Sequence, residues 1–277
     1  PDALAAAASD VTHVFHCAAL VADWGRWDDF VAANVTGTRN LCAALLRTGR
    51  IERLVHISST DVYGYPVHPG DESQPLRPCG LPYNATKVAA EEVVWSAARR
   101  GLPVTVLRPA SIYGPRATST IGEVAHALES GRILLLDRGR PTAGLVHVDD
   151  VVEIMLRAAS SAHALGRAYN VRSPEATTWR DFIAAIARSL GLTPPTRSVP
   201  GRVAYAAAAL CERVGAIARV ARRPLLTRHA VLLLIRDQGY AVERVTHELG
   251  IDAFRPFVDG LEESMAWWRG RSVTSPA

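Results

Sequence analysis

Continuous apolar runs alternate with longer amphipathic stretches along the first half of the chain. The apolar runs at 11–16, 53–58 and 104–108 are typical of parallel strands buried on both faces. The stretches between them, 27–47 and 83–100, have the spacing of apolar positions expected for helices. Strands separated by helices form crossover units, so the pattern predicts an α/β fold with a parallel sheet.

The second half of the chain has shorter and more mixed patterns. Residues 200–223 form an Ala- and Val-rich amphipathic stretch, which we expect to be a helix packed on the protein's own core. Residues 2–8 read as the end of a helix. Further helices are predicted near 119–131, after Asp150 through Arg157, from Thr178 to Leu190, and over 255–269. Further strands are predicted at 133–136 and 168–171.

Composition narrows the classes of function. A chain of 277 residues, 48% of them hydrophobic, can bury a large core in one domain or in one domain with a small lobe. The net charge of +4 is carried by scattered Arg, so we predict no nucleic-acid partner. The four cysteines lie far apart, which favours reduced thiols in a cytoplasmic protein and indicates no metal site.

The only lysine in the chain stands at a chemically informative position. Lys87 follows Tyr83 by four residues at the start of a predicted helix, so the two side chains share a face. A neighbouring ammonium favours the phenolate and lowers the pKa of a tyrosine, which is otherwise ~10. The pair is suited to acid/base chemistry at a hydroxyl or carbonyl, and the alternative is an ordinary amphipathic turn.

Hydroxyl side chains follow the second predicted strand. Ser58 and Ser59 come where this strand ends, and the carboxyl ends of parallel strands face the crevice in which such sheets bind ligands. A serine there is able to bond the substrate oxygen that Tyr83 protonates. The alternative is a serine-rich turn.

Several ordered motifs carry a resemblance to a known family. The matching segments are His16–Ala19, Asn34–Thr38, Ser59–Gly64, Tyr83–Lys87, Leu107–Pro115 and Val146–Val151. With these motifs, nearly the whole chain resembles the extended short-chain dehydrogenase/reductase family, also called the NAD-dependent epimerase/dehydratase family. The resemblance implies a Rossmann-like doubly wound parallel sheet with a smaller C-terminal substrate-binding lobe. We expect residues 1–165 to form the dinucleotide-binding domain and 166–277 mainly the substrate lobe, with the chain interleaved between them.

The resemblance also implies roles for individual residues. Tyr83 would be the proton donor or acceptor, Lys87 would lower its pKa and hold the nicotinamide ribose, Ser59 would orient the substrate oxygen, and Asn34 would support a proton relay. The backbone around Pro109 would meet the carboxamide of NAD or NADP. The residues expected to bind this cofactor are Cys17, Ala18, Ala19, Ile57, Ser58, Tyr83, Lys87, Arg108, Pro109, Ala110 and Ser111. The residues expected to bind substrate are Ser59, Thr60, Asp61, Trp24, Tyr113, Arg116 and Arg228.

One segment of the family pattern is absent from the sequence. Family members begin with a strand, a Gly-x-x-Gly-x-x-Gly turn and a helix that holds the pyrophosphate, and no glycines have that spacing here. We therefore expect an N-terminally truncated sheet that lacks its first strands and binds cofactor weakly. The strand at 11–16 would then be a bare apolar edge.

The sequence leaves more than one activity open. Thr60 replaces the acid of the sugar-nucleotide dehydratases, which argues against that class. Residues 22–30 and 200–228 resemble the 3β-hydroxysteroid dehydrogenase-like branch, which favours interconversion of a secondary alcohol and a ketone on a sterol-like or 3-keto acid-like small molecule. The alternatives are a nucleotide-sugar 4-epimerase, whose diphosphate Arg172 or Arg228 would bind, and a non-catalytic relative. We also expect a homodimer, and a membrane surface is not favoured as a partner.

Overall fold

A four-stranded parallel sheet forms the centre of the first lobe. The computed structural model describes residues 2–217 and 223–271. The strands of the sheet are β1 (His13–His16), β2 (Arg53–Ile57), β3 (Val104–Pro109) and β7 (Ala168–Val171). They lie in the order β1-β2-β3-β7, with Val14 opposite Leu54, Leu54 opposite Val104 and Val106 opposite Ala168.

Helices cover both faces of this sheet. Their bounds are Gly37–Thr48 for α3 and Pro82–Arg99 for α4 on one face, and Val148–Ser160 for α6 and Glu243–Leu249 for α10 on the other. Leu45 and Val94 pack on the first face, and Ile154 and Val245 pack on the second. The prediction of a doubly wound parallel sheet is therefore confirmed.

The second lobe is built from short strands and from helices around a separate apolar core. The strands are β4 (Ser111–Tyr113) paired with β6 (Leu145–His147) and β5 (Leu135–Leu136) paired with β8 (Ser198–Val199). The helices are α5 (Glu123–Glu129), α7 (Trp179–Ser189), α8 (Gly201–Ile217), α9 (Arg228–Ile235) and α11 (Phe257–Arg271). Both β7 and α10 follow residue 165 but belong to the sheet lobe. The chain therefore passes between the two lobes more than once, and a single boundary at 165/166 does not describe its path.

Four short elements complete the sheet lobe and the path to the site. Helix α1 (Asp2–Ala7) precedes β1, and helix α2 (Trp27–Phe30) precedes α3. A π-helical turn, Val31–Thr36, joins α2 to α3, and a 3-10 turn, Thr60–Tyr63, follows β2. The single predicted helix at 27–47 is thus three consecutive helical segments.

Burial in two predicted elements depends on their neighbours. The strand at 11–16 was predicted to be a bare apolar edge of a sheet without its first strands, and Phe15 of β1 is exposed, because among the described residues β1 pairs only with β2 and lies at the sheet edge. Helix α8 packs one face on the protein as predicted, with Ala204 and Ala208 in an apolar cluster with Val231 of α9. Its exposed apolar residues are Val203, Leu210, Val214 and Ile217. The last part of the predicted 200–223 stretch, 218–222, lies outside the described residues.

No helix in the described part of the chain combines the length and the apolar character that crossing a membrane requires. Thr178 caps α7 as predicted, and it forms a capping box with Asp181.

Candidate active site

The predicted acid/base pair lies on the first two turns of α4. The helix begins at Pro82, whose fixed φ suits the first helical position, and Tyr83 follows it. Tyr83 and Lys87 are both buried, and Val88 and Val94 of the same helix are buried in apolar clusters. This packing holds the Tyr83–Lys87 face of α4 next to the carboxyl end of β2.

Asn34 connects this helix to the loop after β1. The residue lies in the π-helical turn, a kind of distortion that is frequent at functional sites. Its Nδ2 donates to Thr86 Oγ1 at 3.1 Å and to the Leu20 carbonyl at 3.2 Å, and its Oδ1 accepts from the Leu20 N–H at 2.7 Å. Asn34 is therefore a fully bonded, buried support of the site.

Ser59 and Asp61 lie in the turn that follows β2. Ser59 is the N-cap of the 3-10 turn, and its Oγ accepts from the Asp61 N–H at 3.1 Å. The Ser59 hydroxyl also lies close enough to Tyr83 to lower the pKa of the phenol. Thr60 is buried in the same turn, and both Ser59 and Asp61 act on the pKa of Tyr83.

Lys87 is tied to the strand beneath it. Its Nζ donates to the Ile57 carbonyl at 2.6 Å. Burial lowers the pKa of Lys87 to about 8, although the charges of Glu91, Asp61 and Cys17 act to raise it. Lys87 therefore remains largely an ammonium at neutral pH, within reach of the β1 and β2 carboxyl ends.

The pKa of Tyr83 differs from the sequence-based expectation. Burial raises it well above its ordinary value, Asp61 raises it further, and the Ser59 hydroxyl acts in the opposite direction. Lys87, which was expected to lower this pKa, donates to the Ile57 carbonyl. A protonated Tyr83 is suited to donate a proton.

The segments predicted to hold the nicotinamide end of a cofactor surround Lys87. Cys17 and Ala18 are exposed at the carboxyl end of β1, and Ala19 is half-buried beside them. Burial raises the pKa of the Cys17 thiol, and the Lys87 charge acts in the opposite direction. After β3, Pro109 and Ala110 lead into β4. The Ser111 hydroxyl is buried and has no hydrogen-bond partner among the described residues. A buried hydroxyl without a partner fits a polar ligand such as the nicotinamide half of NAD.

Arg108 and Ser58, both predicted to bind cofactor, have their side chains in a buried network instead. Arg108 forms an ion pair with Glu91, and its Nε lies 3.2 Å from Glu91 Oε2. Ser58 Oγ donates to the same carboxylate at 2.6 Å, and Trp95 Nε1 donates to it at 3.0 Å. Any contact of Arg108 or Ser58 with a cofactor would have to come from the backbone.

Two predicted substrate-binding residues are also committed elsewhere. Tyr113 is a core residue of the second lobe, with its ring 5.4 Å from His147 and 6.4 Å from Phe182. Arg228 donates from Nε to Glu212 at 2.6 Å. Each side chain has a structural partner within its own lobe, and its contact with a substrate remains a prediction.

The other two predicted substrate contacts are at the surface or near it. Trp24 is half-buried against α8, where a Cβ on Gly215 would lie 3.6 Å from the Trp24 ring. Arg116 is exposed and has a positive φ of 72°. Trp24 therefore lies between the sheet lobe and α8, whereas Arg116 remains a prediction.

Sequence reasoning missed His229, which the structure places at the centre of the site. Its ring stacks on that of Tyr83, with centroids 5.6 Å apart, and its Nε2 lies 3.0 Å from Asp61 Oδ2. The sequence signal was the capping residue Thr227, which predicts a helix start. Neighbouring residues of a helix point in directions about 100° apart. Because the sequence does not show how α9 is oriented, Arg228 was predicted to bind the substrate and its neighbour His229 was not.

A family model matches the larger part of the chain. It is described as the NAD dependent epimerase/dehydratase family, and it matches residues 1–171.

Individual relatives and solved structures extend the match beyond residue 171. A 4-hydroxy-2-methyl-3-oxo-4-farnesyl-3,4-dihydroquinoline-1-oxide ketoreductase of Stigmatella aurantiaca is 36% identical over 87% of this chain and 76% of its own. A 2-alkyl-3-oxoalkanoate reductase of Stenotrophomonas maltophilia is 29% identical over 90% of this chain and 78% of its own. Among solved structures, MoeE5 in complex with UDP-glucose and NAD is 26% identical, with a TM-score of 0.75 over 98% of this chain and 83% of that one.

Proposed function

Because the chain belongs to the NAD dependent epimerase/dehydratase family, we propose that it interconverts a secondary alcohol and a ketone on a largely apolar small molecule, using NAD or NADP. The observation that carries the proposal is the grouping of Ser59, Tyr83, Lys87 and Asn34 around the carboxyl ends of β1 and β2. Two relatives with reductase names support the same reaction class.

The residues of this chain divide the work of the reaction between them. The nicotinamide, when bound, supplies or accepts the hydride at the substrate carbon. In the reducing direction Tyr83 donates its phenolic proton to the carbonyl oxygen, which becomes the hydroxyl of the alcohol. Ser59 hydrogen-bonds that oxygen, and the Lys87 ammonium would hold the nicotinamide ribose hydroxyls.

The raised pKa of Tyr83 is consistent with reduction of a ketone. Burial and Asp61 keep the phenol protonated at neutral pH, so the proton to be donated is already in place. Asn34 supports this arrangement, since it bonds Thr86 on α4 and the Leu20 backbone in the loop after β1. Asn34 therefore holds the helix that carries Tyr83 against that loop.

The nucleotide-sugar 4-epimerase alternative receives less support. Its diphosphate would need free basic side chains, and Arg228 is paired with Glu212. Arg172 donates to the carbonyls of Tyr240 and Ser173, both at 2.6 Å. The non-catalytic alternative is disfavoured because all four predicted catalytic residues are present and buried at one site.

The test is a comparison of substrate classes under identical conditions. The protein is incubated with millimolar NADH or NADPH and, separately, an aliphatic 3-oxo acid, a 3-keto sterol and UDP-glucose. We expect nicotinamide absorbance to fall with at least one ketone, and we expect no UDP-galactose to form from UDP-glucose. Conversion of the sugar without reduction of any ketone would contradict the proposal and support the epimerase.

A further inference from the structure

His229 comes from the second lobe and covers the tyrosine to which we assign proton transfer. It lies in the first turn of α9, and its ring plane is within 18° of that of Tyr83. On another side it meets the ring of Tyr65, with centroids 5.9 Å apart. A group bound at the edge of the His229 ring would therefore be close to the reacting carbon of a substrate on Tyr83.

Asp61 fixes the orientation of this ring. Its Oδ2 lies 3.0 Å from His229 Nε2, and only 9% and 12% of the two side chains are exposed. Asp61 belongs to the turn capped by Ser59, so the contact links the substrate lobe directly to the predicted catalytic turn. The remaining ring nitrogen, Nδ1, is left to face other groups.

The charges around His229 favour its protonated form. Burial by itself lowers the pKa of His229, but the hydrogen bond and charge of Asp61, with the charge of Asp23, raise it overall. Arg223 opposes this effect, although it is itself paired with Asp23. Both ring nitrogens of an imidazolium are donors, and Asp61 occupies only Nε2.

The second ring nitrogen of His229, Nδ1, differs from Nε2 in its surroundings. The atom is buried and has no hydrogen bond among the residues that the structure describes. Leaving a buried polar atom unpaired is unfavourable, so a ligand oxygen that accepts from Nδ1 would be favoured.

The charge on the donor indicates what kind of oxygen this is. Asp61 and Asp23 raise the pKa of His229, so the group at Nδ1 is an imidazolium N–H. Charge-assisted hydrogen bonds to a carboxylate are stronger than those to a neutral oxygen.

We propose that His229, held by Asp61, forms a substrate subsite whose Nδ1–H donates to a carboxylate attached close to the reacting carbonyl or hydroxyl, as in a 3-oxo or 3-hydroxy acid. This subsite rests on the proposed function, because it places the carboxylate relative to the carbon that Tyr83 serves. It makes His229 a specificity residue that touches substrate, and Asp61 its positioning residue.

The test measures binding of a matched pair of ligands. Calorimetry in the presence of NAD compares 3-hydroxydecanoate with its methyl ester, which differ in the charge of one group. We expect the parent to bind the acid more tightly by about tenfold, the size of one charge-assisted hydrogen bond. His229→Phe keeps a ring to stack on Tyr83, and it should bring the ratio close to one while the affinity for the ester stays the same.

Two further variants separate the subsite from general effects. His68→Phe makes the same replacement at an exposed loop position and should keep the parental ratio. Asp61→Asn should reduce the ratio without removing the ring. Melting temperatures show which variants fold, and histidine-labelled NMR of the parent should show a shift at His229 Nδ1 on addition of the acid but not of the ester.

The outcomes for the subsite and for the proposed function are distinguishable. An unchanged preference for the acid in folded His229→Phe would overturn the subsite alone, as would equal binding of acid and ester by the parent. Failure of the parent to bind either ligand and to reduce any ketone would overturn the proposed function as well.

Discussion

Replacing Glu91 with Gln should destabilise the protein strongly, although the residue lies beneath the site and not in it. The Glu91 side chain is fully buried and accepts from Arg108, from Ser58 Oγ at 2.6 Å and from Trp95 Nε1 at 3.0 Å. Its charge also acts on Lys87, four residues earlier on α4. The substitution would leave the Arg108 guanidinium buried without its counter-charge.

The expected magnitude follows from that lost pairing. Removing one partner of a buried ion pair costs about 3–5 kcal/mol. For a chain of this size each kcal/mol corresponds to roughly 2–4 °C, so the melting temperature should fall by about 6–20 °C. The assay is urea denaturation followed by circular dichroism, together with thermal melting.

A surface ion pair provides the matched control for Glu91. Glu153 pairs with Arg157 one helical turn away on α6, and both side chains are about half exposed. Glu153→Gln should therefore change stability by less than about 0.5 kcal/mol. A Glu91→Gln variant within about 1 kcal/mol of the parent would refute the reasoning, since a buried pair could not then be broken at so small a cost.

Two other predictions concern the backbone and the pH dependence. Gly144→Ala should destabilise the protein by about 1–3 kcal/mol, because the φ of Gly144 is 62° and the new Cβ would lie 2.6 Å from Gln238 Cβ. The control is Gly131→Ala, which should cost clearly less, because the φ of Gly131 is 65° but nothing lies within 4 Å of its new Cβ. Equal melting temperatures of the two variants would contradict this prediction. The pKa of Lys87 is about 8, so its ammonium is lost as the pH rises through that value, and the rate of ketone reduction should then decline. A pH–rate profile that stays flat well above pH 8 would contradict the role of Lys87.

The central sheet and the acid/base helix were predictable because their signals are local. Continuous apolar runs mark β2 and β3 as buried parallel strands, and the amphipathic stretch after Pro82 marks α4. Tyr83 and Lys87 are one turn apart on that helix, so their shared face follows from helical geometry alone. These expectations depended on no contact between distant parts of the chain.

What the sequence does not show is the direction of side chains and their distant partners. Tyr113 follows β3 as the family pattern requires, yet its ring belongs to the core of the second lobe. Arg108 alternates along β3 to the face that meets Glu91, and the sequence shows neither that face nor that partner. His229 reaches Asp61 across 168 positions of sequence, and no periodicity predicts such a contact.

The most direct measurement of the central claim is the rate of ketone reduction by Tyr83→Phe. Removing a general acid typically lowers a rate by about 10²–10⁴-fold, and we predict a loss in that range with little change in melting temperature. Tyr169→Phe is the control, since Tyr169 is equally buried but donates to Glu248 beneath the sheet, and it should keep the parental rate. A Tyr83→Phe variant that reduces the ketone at near the parental rate would contradict the assignment of the proton donor.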